Sequence, residues 1–233
     1  MNIIGVVPAR WASTRLPGKP LAEIDGRPMI EHVVRRASLA RRLSAVVVAT
    51  DDARIAAAVR GFGGDVVMTR GDHVSGTDRI WEVVQGRAGV DAVVNIQGDE
   101  PLIEPDVIDA VAAPLLGGVQ VITAAAALRD DPMTPSVVKV VCDQVGDALY
   151  FSRSRIPHGG ACLHHVGLYA YTREALQSFV SRTPGPLERA ERLEQLRFLE
   201  YGDRIRVVAV ERAPISVDTP EDLARVRQLF LKK

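Results

Sequence analysis

Three cations, Arg10, Arg15 and Lys19, stand close together in Gly5-Val6-Val7-Pro8-Ala9-Arg10-Trp11-Ala12-Ser13-Thr14-Arg15-Leu16-Pro17-Gly18-Lys19-Pro20. Ser13 and Thr14 add hydroxyls, and Gly18 lets backbone approach a ligand closely. Cations, N–H groups and glycine in one loop suit a polyphosphate. The loop is not an ATP-binding P-loop, because Gly18-Lys19 is followed by Pro20 and position 13 is serine. Nor does the chain contain the G-x-G-x-x-G of dinucleotide binders, which argues against a nicotinamide-dependent dehydrogenase. A second group with chemical potential is Gln97-Gly98-Asp99-Glu100-Pro101. Magnesium prefers one or two carboxylates beside substrate phosphates, and either Asp99 or Glu100 could serve.

The elements that must position these groups follow from apolar periodicity. Ile3 to Val7 reads as a buried strand that Pro8 stops. A helix over about 28–40 follows, then a strand at 45–49, a helix capped by Thr50-Asp51-Asp52, and a strand at 66–68. The polar run Thr69 to Arg79 leads into another helix, with Thr77 as its cap. A strand over 91–96 ends at Gln97, and a helix begun by Pro105 spans 105–116. Strands alternating with helices predict an α/β fold with a mostly parallel sheet, whose carboxyl edge is where ligands bind. The alternation fails after Val119–Leu128, where short strands at 137–141 and 148–151 predict an inserted β subregion. Helices are expected at 173–181 and 187–200, a strand at 206–210, and a last helix capped by Thr219 with Asp222.

At 233 residues, 47% hydrophobic and 25% charged, the chain reads as one globular domain, 1–233. Its 29 basic and 29 acidic residues cancel, which argues against a general nucleic-acid binder. Cys142 and Cys162 form neither a disulfide framework nor a metal-spaced cluster. No apolar run reaches spanning length and no signal peptide is apparent, so a cytoplasmic protein without membrane partners is expected.

Residues 8–20 resemble the signature P-A-R-x-x-S-x-R-L-P-G-K-P of the 3-deoxy-manno-octulosonate (Kdo) cytidylyltransferases, with every fixed position present. Similar matches recur at Thr69-Arg70-Gly71-Asp72-His73-Val74-Ser75-Gly76-Thr77-Asp78-Arg79, at Gln97 to Pro101, at Ser136 to Lys139, and at Tyr150 to Pro157. Further matches are His165-Val166-Gly167-Leu168-Tyr169-Ala170-Tyr171, Leu193 to Arg197, and Val217-Asp218-Thr219-Pro220-Glu221-Asp222-Leu223. The resemblance implies a Rossmann-like nucleotidyltransferase fold (GT-A-like) and magnesium-dependent transfer of CMP from CTP to an acidic acceptor. It assigns nucleotide contacts to Pro8, Ala9, Arg10, Ser13, Arg15, Lys19, Ser75, Gly76, Thr77, Arg79, Gln97 and Asp99. Lys19, Arg15, Asp99 and Asp218 become catalytic, with Asp99 and Asp218 holding Mg²⁺. Arg153, His165, Tyr169, Glu194 and Gln195 become acceptor residues within a 130–200 subregion that could also support a homodimer. His73 could touch ligand or brace its loop.

The chain departs from that family after Pro157. Only His158 to His164 intervenes before the next motif, without the arginine that such enzymes often carry there. A smaller acid, such as the phosphonate phosphonoformate, is therefore an alternative acceptor. A non-catalytic CTP-binding protein would show loss of Lys19 or a metal carboxylate, and neither is lost.

Overall fold

The computed structural model describes residues 1–12, 15–73, 75–129 and 131–231. The chain forms two compact units, Met1–Asp109 with Pro214–Lys233, and Ala110–Ala213. The 130–200 subregion read from the sequence falls inside the second.

The first unit begins with β1 (Ile3–Ala9), buried at every position except Pro8. Pro8 does not stop this strand, which continues beside its neighbour through Ala9. Val6 accepts from Ile96 N, where the neighbouring ladder ends. Pro8, two residues on, faces the same side beyond that end, so its missing N–H leaves no bond unmade. A small hairpin follows that was not read from the sequence, β2 (Glu23–Ile24) and β3 (Arg27–Pro28). Asp25 and Gly26 both have positive φ, as a tight two-residue hairpin turn requires. Helix α1 (Met29–Ala37) buries Met29, Ile30, Val33 and Val34; its His32 is structural, bonded to the Ile24 carbonyl at 2.7 Å.

Then come β4 (Ala45–Thr50), α2 (Ala53–Gly61) and β5 (Asp65–Met68). Helix α3 (Gly76–Gln85) is capped by Ser75, with Asp78 returning the bond, so the cap is not Thr77. Both partners of the box must stand three apart, and only Ser75–Asp78 does. β6 (Ala92–Asn95) and α4 (Pro105–Ala112) complete the run. The helix expected through 116 tightens to a 3-10 turn from Ala113, where Pro114 lacks the donor an α-helix needs. The strands pair in the order β6-β1-β4-β5, all parallel. Their carboxyl ends thus share one edge.

In the second unit, β7 (Val121–Ala127) is followed by β8 (Lys139–Cys142), β9 (Ala148–Ser152) and β10 (Leu163–Thr172). Helices α5 (Arg173–Ser181), α6 (Pro186–Glu191) and α7 (Leu196–Glu200) lead to β11 (Arg206–Ala209). β7 runs parallel to β11 and antiparallel to β10; β8 pairs antiparallel with β10 and β9. The single helix expected over 187–200 is broken at Arg192, which takes a left-handed backbone (φ 55°). The break lets Arg197 reach back to Glu188 in a buried two-pronged ion pair, 2.6 and 2.7 Å.

The chain then returns to the first unit with α8 (Pro220–Phe230), capped by Thr219 and Asp222 as the sequence predicts. Its Leu223 and Val226 pack with Ile24, Met29 and Val217. No helix among the described residues is long and apolar enough to cross a membrane.

Candidate active site

The loops leaving the carboxyl ends of β1 and β6 enclose a cleft of about 380 Å³ in the first unit, lined by Arg10, Arg15, Lys19, Gln97, Asp99 and Asp218 among others. Lys19 is held there by the turn before it. Gly18 has φ +69°, a conformation that glycine alone adopts easily, and its N–H donates to the Trp11 carbonyl at 3.2 Å. The Lys19 ammonium lies 2.6 Å from Asp99 Oδ2 and 3.1 Å from Asp218 Oδ1. Arg15 reaches the same Asp218 oxygen at 3.1 Å. Burial alone would lower the Lys19 pKa, but the two carboxylates outweigh it and hold the ammonium above its ordinary range.

Two backbone features bring these distant residues together. Gly98 passes so close to β1 that a Cβ there would lie 3.0 Å from the Pro8 carbonyl, which places Asp99 against the loop. The Val217 N–H donates to the Asp99 carbonyl at 2.9 Å, and this bond fixes Asp218 beside it. The carboxylate oxygens already converge on a positive charge, they are hard donors, and the cleft beside them has room for phosphates. That donor set fits Mg²⁺. Glu100, the other acid weighed from the sequence, is unsuited. It is 6% exposed, Oε2 has no hydrogen-bond partner among the described residues, and burial next to Asp99 pushes its pKa up to about 8. Glu100 is a neutral group of the interior at pH 7.

The loop before α3 is tied to the same cleft. Arg10 donates to the carbonyls of His73 and Ser75 at 2.8 and 3.1 Å. His73 is bonded to Glu82 and its side chain is nearly buried, so it braces the loop. Gly76 faces Pro8, where an added Cβ would touch the ring at 3.7 Å. Thr77 is buried, and Arg79 is wholly so, with its guanidinium on Thr69 and on Asp51 at 2.9 Å. Arg79 therefore sits beneath the loop. Pro8, Ala9 and Gln97 line the cleft. Ser13 lies outside the described residues.

The residues matched to the acceptor belong to the second unit. His165 and Tyr169 sit on β10, their rings 5.4 Å apart, in an aromatic series with Phe151 and Tyr171. His165 Nε2 is 3.0 Å from Thr123 Oγ1, whose hydroxyl also faces the carbonyls of Val166 and Leu168. The single Thr123 proton can go to either carbonyl or to the imidazole, so the tautomer of His165 sets which of the two donates in this pair. Burial, aided by His164, drops the His165 pKa to about 3 and makes it neutral. Burial also raises the Tyr169 phenol well above its usual value. Gln195 is buried, and its Nε2 lacks a partner among the described residues. Glu194 is half-buried beside it.

Arg153, matched to the acceptor by its motif, is held by backbone carbonyls. Its guanidinium donates to the carbonyls of Glu191, Pro135 and Arg192 at 3.0, 3.2 and 3.5 Å. Two supporting residues went unassigned. Thr123 owes its role to the β7–β10 register and carries no local motif. Lys139 did lie in a quoted motif; wholly buried, it donates to the carbonyls of Val137, Thr134 and Arg153 and so fixes the base of Arg153. A lysine in an otherwise apolar strand was the available signal.

The cytidylyltransferase family model matches residues 4–205. A 3-deoxy-manno-octulosonate cytidylyltransferase of Solibacter usitatus (strain Ellin6076) is 51% identical, covering 98% of this chain and 94% of its own. One from Geobacter sulfurreducens (strain ATCC 51573 / DSM 12127 / PCA) is 52% identical over 97% of this chain and 98% of its own. A solved CMP:2-keto-3-deoxy-manno-octonic acid synthetase complexed with CTP superposes with a TM-score of 0.96 at 43% identity, covering 100% of this chain and 99% of the other. Identity of about half over almost the whole length, joined to a matching fold, leaves one conclusion: this chain belongs to the 3-deoxy-manno-octulosonate cytidylyltransferases, a family of nucleotidyltransferase enzymes.

Proposed function

We propose that the protein transfers CMP from CTP to 3-deoxy-manno-octulosonate, forming CMP-Kdo and releasing pyrophosphate, with Mg²⁺ as cofactor. The observation that carries the reading is the convergence of Asp99 and Asp218 on Lys19 at the carboxyl edge of the first unit's sheet. Relatives about half identical are named for this sugar acid, which supports the acceptor assignment and gives the phosphonate alternative no support.

In this mechanism Arg15 and Lys19 lie along the triphosphate and balance its charge. Arg10 holds the two nucleotide loops together through its bonds to His73 and Ser75. Asp99 and Asp218 would hold the magnesium ion, which supplies charge neutralisation during phosphoryl-group displacement. An acceptor hydroxyl attacks the α-phosphorus in line as its proton passes to solvent, the bond from the α-phosphorus to the bridging oxygen breaks, and Lys19 offsets charge that builds on the departing pyrophosphate. Gln195, His165 and Tyr169 recognise the acceptor by hydrogen bonds from neutral groups. A homodimer remains part of the proposal.

The test offers CTP and Mg²⁺ with a panel of acids including Kdo and phosphonoformate, and identifies products by mass. CMP-Kdo as the main product supports the reading. Conversion of phosphonoformate with Kdo untouched would replace the acceptor, and binding of CTP without turnover of any acid would support a non-catalytic protein.

A further inference from the structure

We propose that Arg54 is a positioning residue for the nucleotide loop, acting through Trp11. This rests on reading the cleft of the first unit as the CTP site.

The Arg54 guanidinium carbon lies 3.4 Å from the centroid of the Trp11 ring, a close cation–π contact. Its orientation is set from behind. Asp52 takes the guanidinium in a two-pronged grip, at 3.0 Å from Nε and 2.6 Å from the terminal nitrogen. The same carboxylate caps α2 by accepting from Arg54 N at 2.9 Å. The arginine is thus fixed to the start of α2, which follows strand β4, the neighbour of β1 in the sheet.

Trp11 passes that position to the loop. A Cβ on Gly18 would come within 2.9 Å of the indole Cη2, so backbone and ring are already in contact. Gly18 also donates to the Trp11 carbonyl. The next residue is Lys19. A continuous chain of contacts therefore runs from the α2 cap through Arg54, Trp11 and Gly18 to the ammonium that bridges Asp99 and Asp218. The residue before the cap, Asp51, does a parallel job for the second nucleotide loop, since it grips Arg79 at 2.9 Å. The turn between β4 and α2 holds both loops while lining none of the cleft.

The chain has two tryptophans, so Trp81→Phe leaves Trp11 as the sole tryptophan, excited selectively at wavelengths beyond the absorption of the four tyrosines. In that background, Arg54→Ala should shift Trp11 emission without nucleotide and weaken CTP binding about threefold to tenfold by calorimetry. Arg54→Lys keeps a cation over the ring and should restore most of both. An arginine serving only to stabilise α2 would lower the thermal midpoint while the folded protein bound CTP normally. Unchanged CTP affinity in Arg54→Ala, or unchanged Trp11 emission, overturns the proposal. If the unsubstituted protein itself fails to bind CTP, the functional reading falls instead, and Trp11 emission alone decides whether the clamp exists. Should Trp81→Phe fail to fold, fluorine resonances of 5-fluorotryptophan in the otherwise unsubstituted protein give the same reading.

Discussion

The two units arrange their candidate site residues by opposite means. In the first, charged side chains stand on loops in an open cleft, with Arg15 62% and Asp218 39% exposed. Their positions come from backbone contacts such as Val217 to Asp99 and from caps at helix starts. In the second, His165 and Tyr169 on strand β10 and Gln195 at the start of α7 are buried and uncharged, the first two among aromatic rings. A triphosphate calls for concentrated positive charge and a cation seat. Recognition of a hydroxylated acid can rest on unpaired hydrogen-bonding groups, because a buried donor such as Gln195 Nε2 discriminates against any ligand that leaves it unsatisfied.

The largest effect should come from removing charge in the first unit. Asp99→Asn and Asp218→Asn barely change volume but weaken the cation seat. Each should cut the rate of CMP-conjugate formation by about 10²-fold or more at limiting Mg²⁺. Near-normal turnover in either variant would remove that carboxylate from the site. The contrasting substitution is Gln195→Ala, which removes one buried donor and should raise the acceptor KM about tenfold. CTP affinity measured by calorimetry should stay as in the parent. A fall in CTP affinity would erase the division of labour between the units.

Acid should distinguish the units next. The folded pKa of His165 is depressed from 6.5 to about 3. As pH falls below 6.5 the unfolded chain takes up a proton that the native imidazole refuses, so stability present above that value is progressively lost. Between pH 6.5 and 5 the loss amounts to about 2 kcal/mol. Urea titrations of the parent and of His165→Gln should show this difference, with the variant less acid-sensitive. Equal slopes against pH would mean that native His165 takes up its proton as readily as it does in the unfolded chain.

How much of this could be read from residues alone follows the same division. Loop motifs of the first unit lie in continuous stretches, so the 8–20, 69–79 and 97–101 segments and the Thr219 cap were legible. What was not legible depended on contacts between distant residues. Pro8 stays in β1 only because the β6 ladder ends beside it. Glu100 and Asp99 are adjacent in sequence and chemically alike, yet one is interior and the other lines the cleft. In the second unit, Thr123 meets His165 across a register with a bulge between Val166 and Tyr169, and no local pattern encodes that. The break at Arg192 accompanies the Glu188–Arg197 pair, whose partners lie nine residues apart and meet only once the chain has turned.

The smallest effect gives the sharpest comparison, because it pairs two residues with one local job. Ser75 caps α3 in the first unit and Thr172 caps α5 in the second, each accepting from a backbone N–H three residues on. Replacing either by alanine removes its cap bond, and at Ser75 also the hydroxyl's bond to Asp78 Oδ2, and each replacement should cost about 1 kcal/mol of stability. Only Ser75 belongs to a loop bound into the cleft, since its carbonyl receives Arg10 at 3.1 Å. Loosening the turn at Ser75 should therefore weaken CTP binding about twofold to fivefold, a fraction of the lost cap energy. Ser75→Ala and Thr172→Ala should show similar drops in urea midpoint but different CTP isotherms. A Thr172→Ala protein with equally weakened CTP binding would mean that global softening, and not the placement of the cap, governs nucleotide affinity.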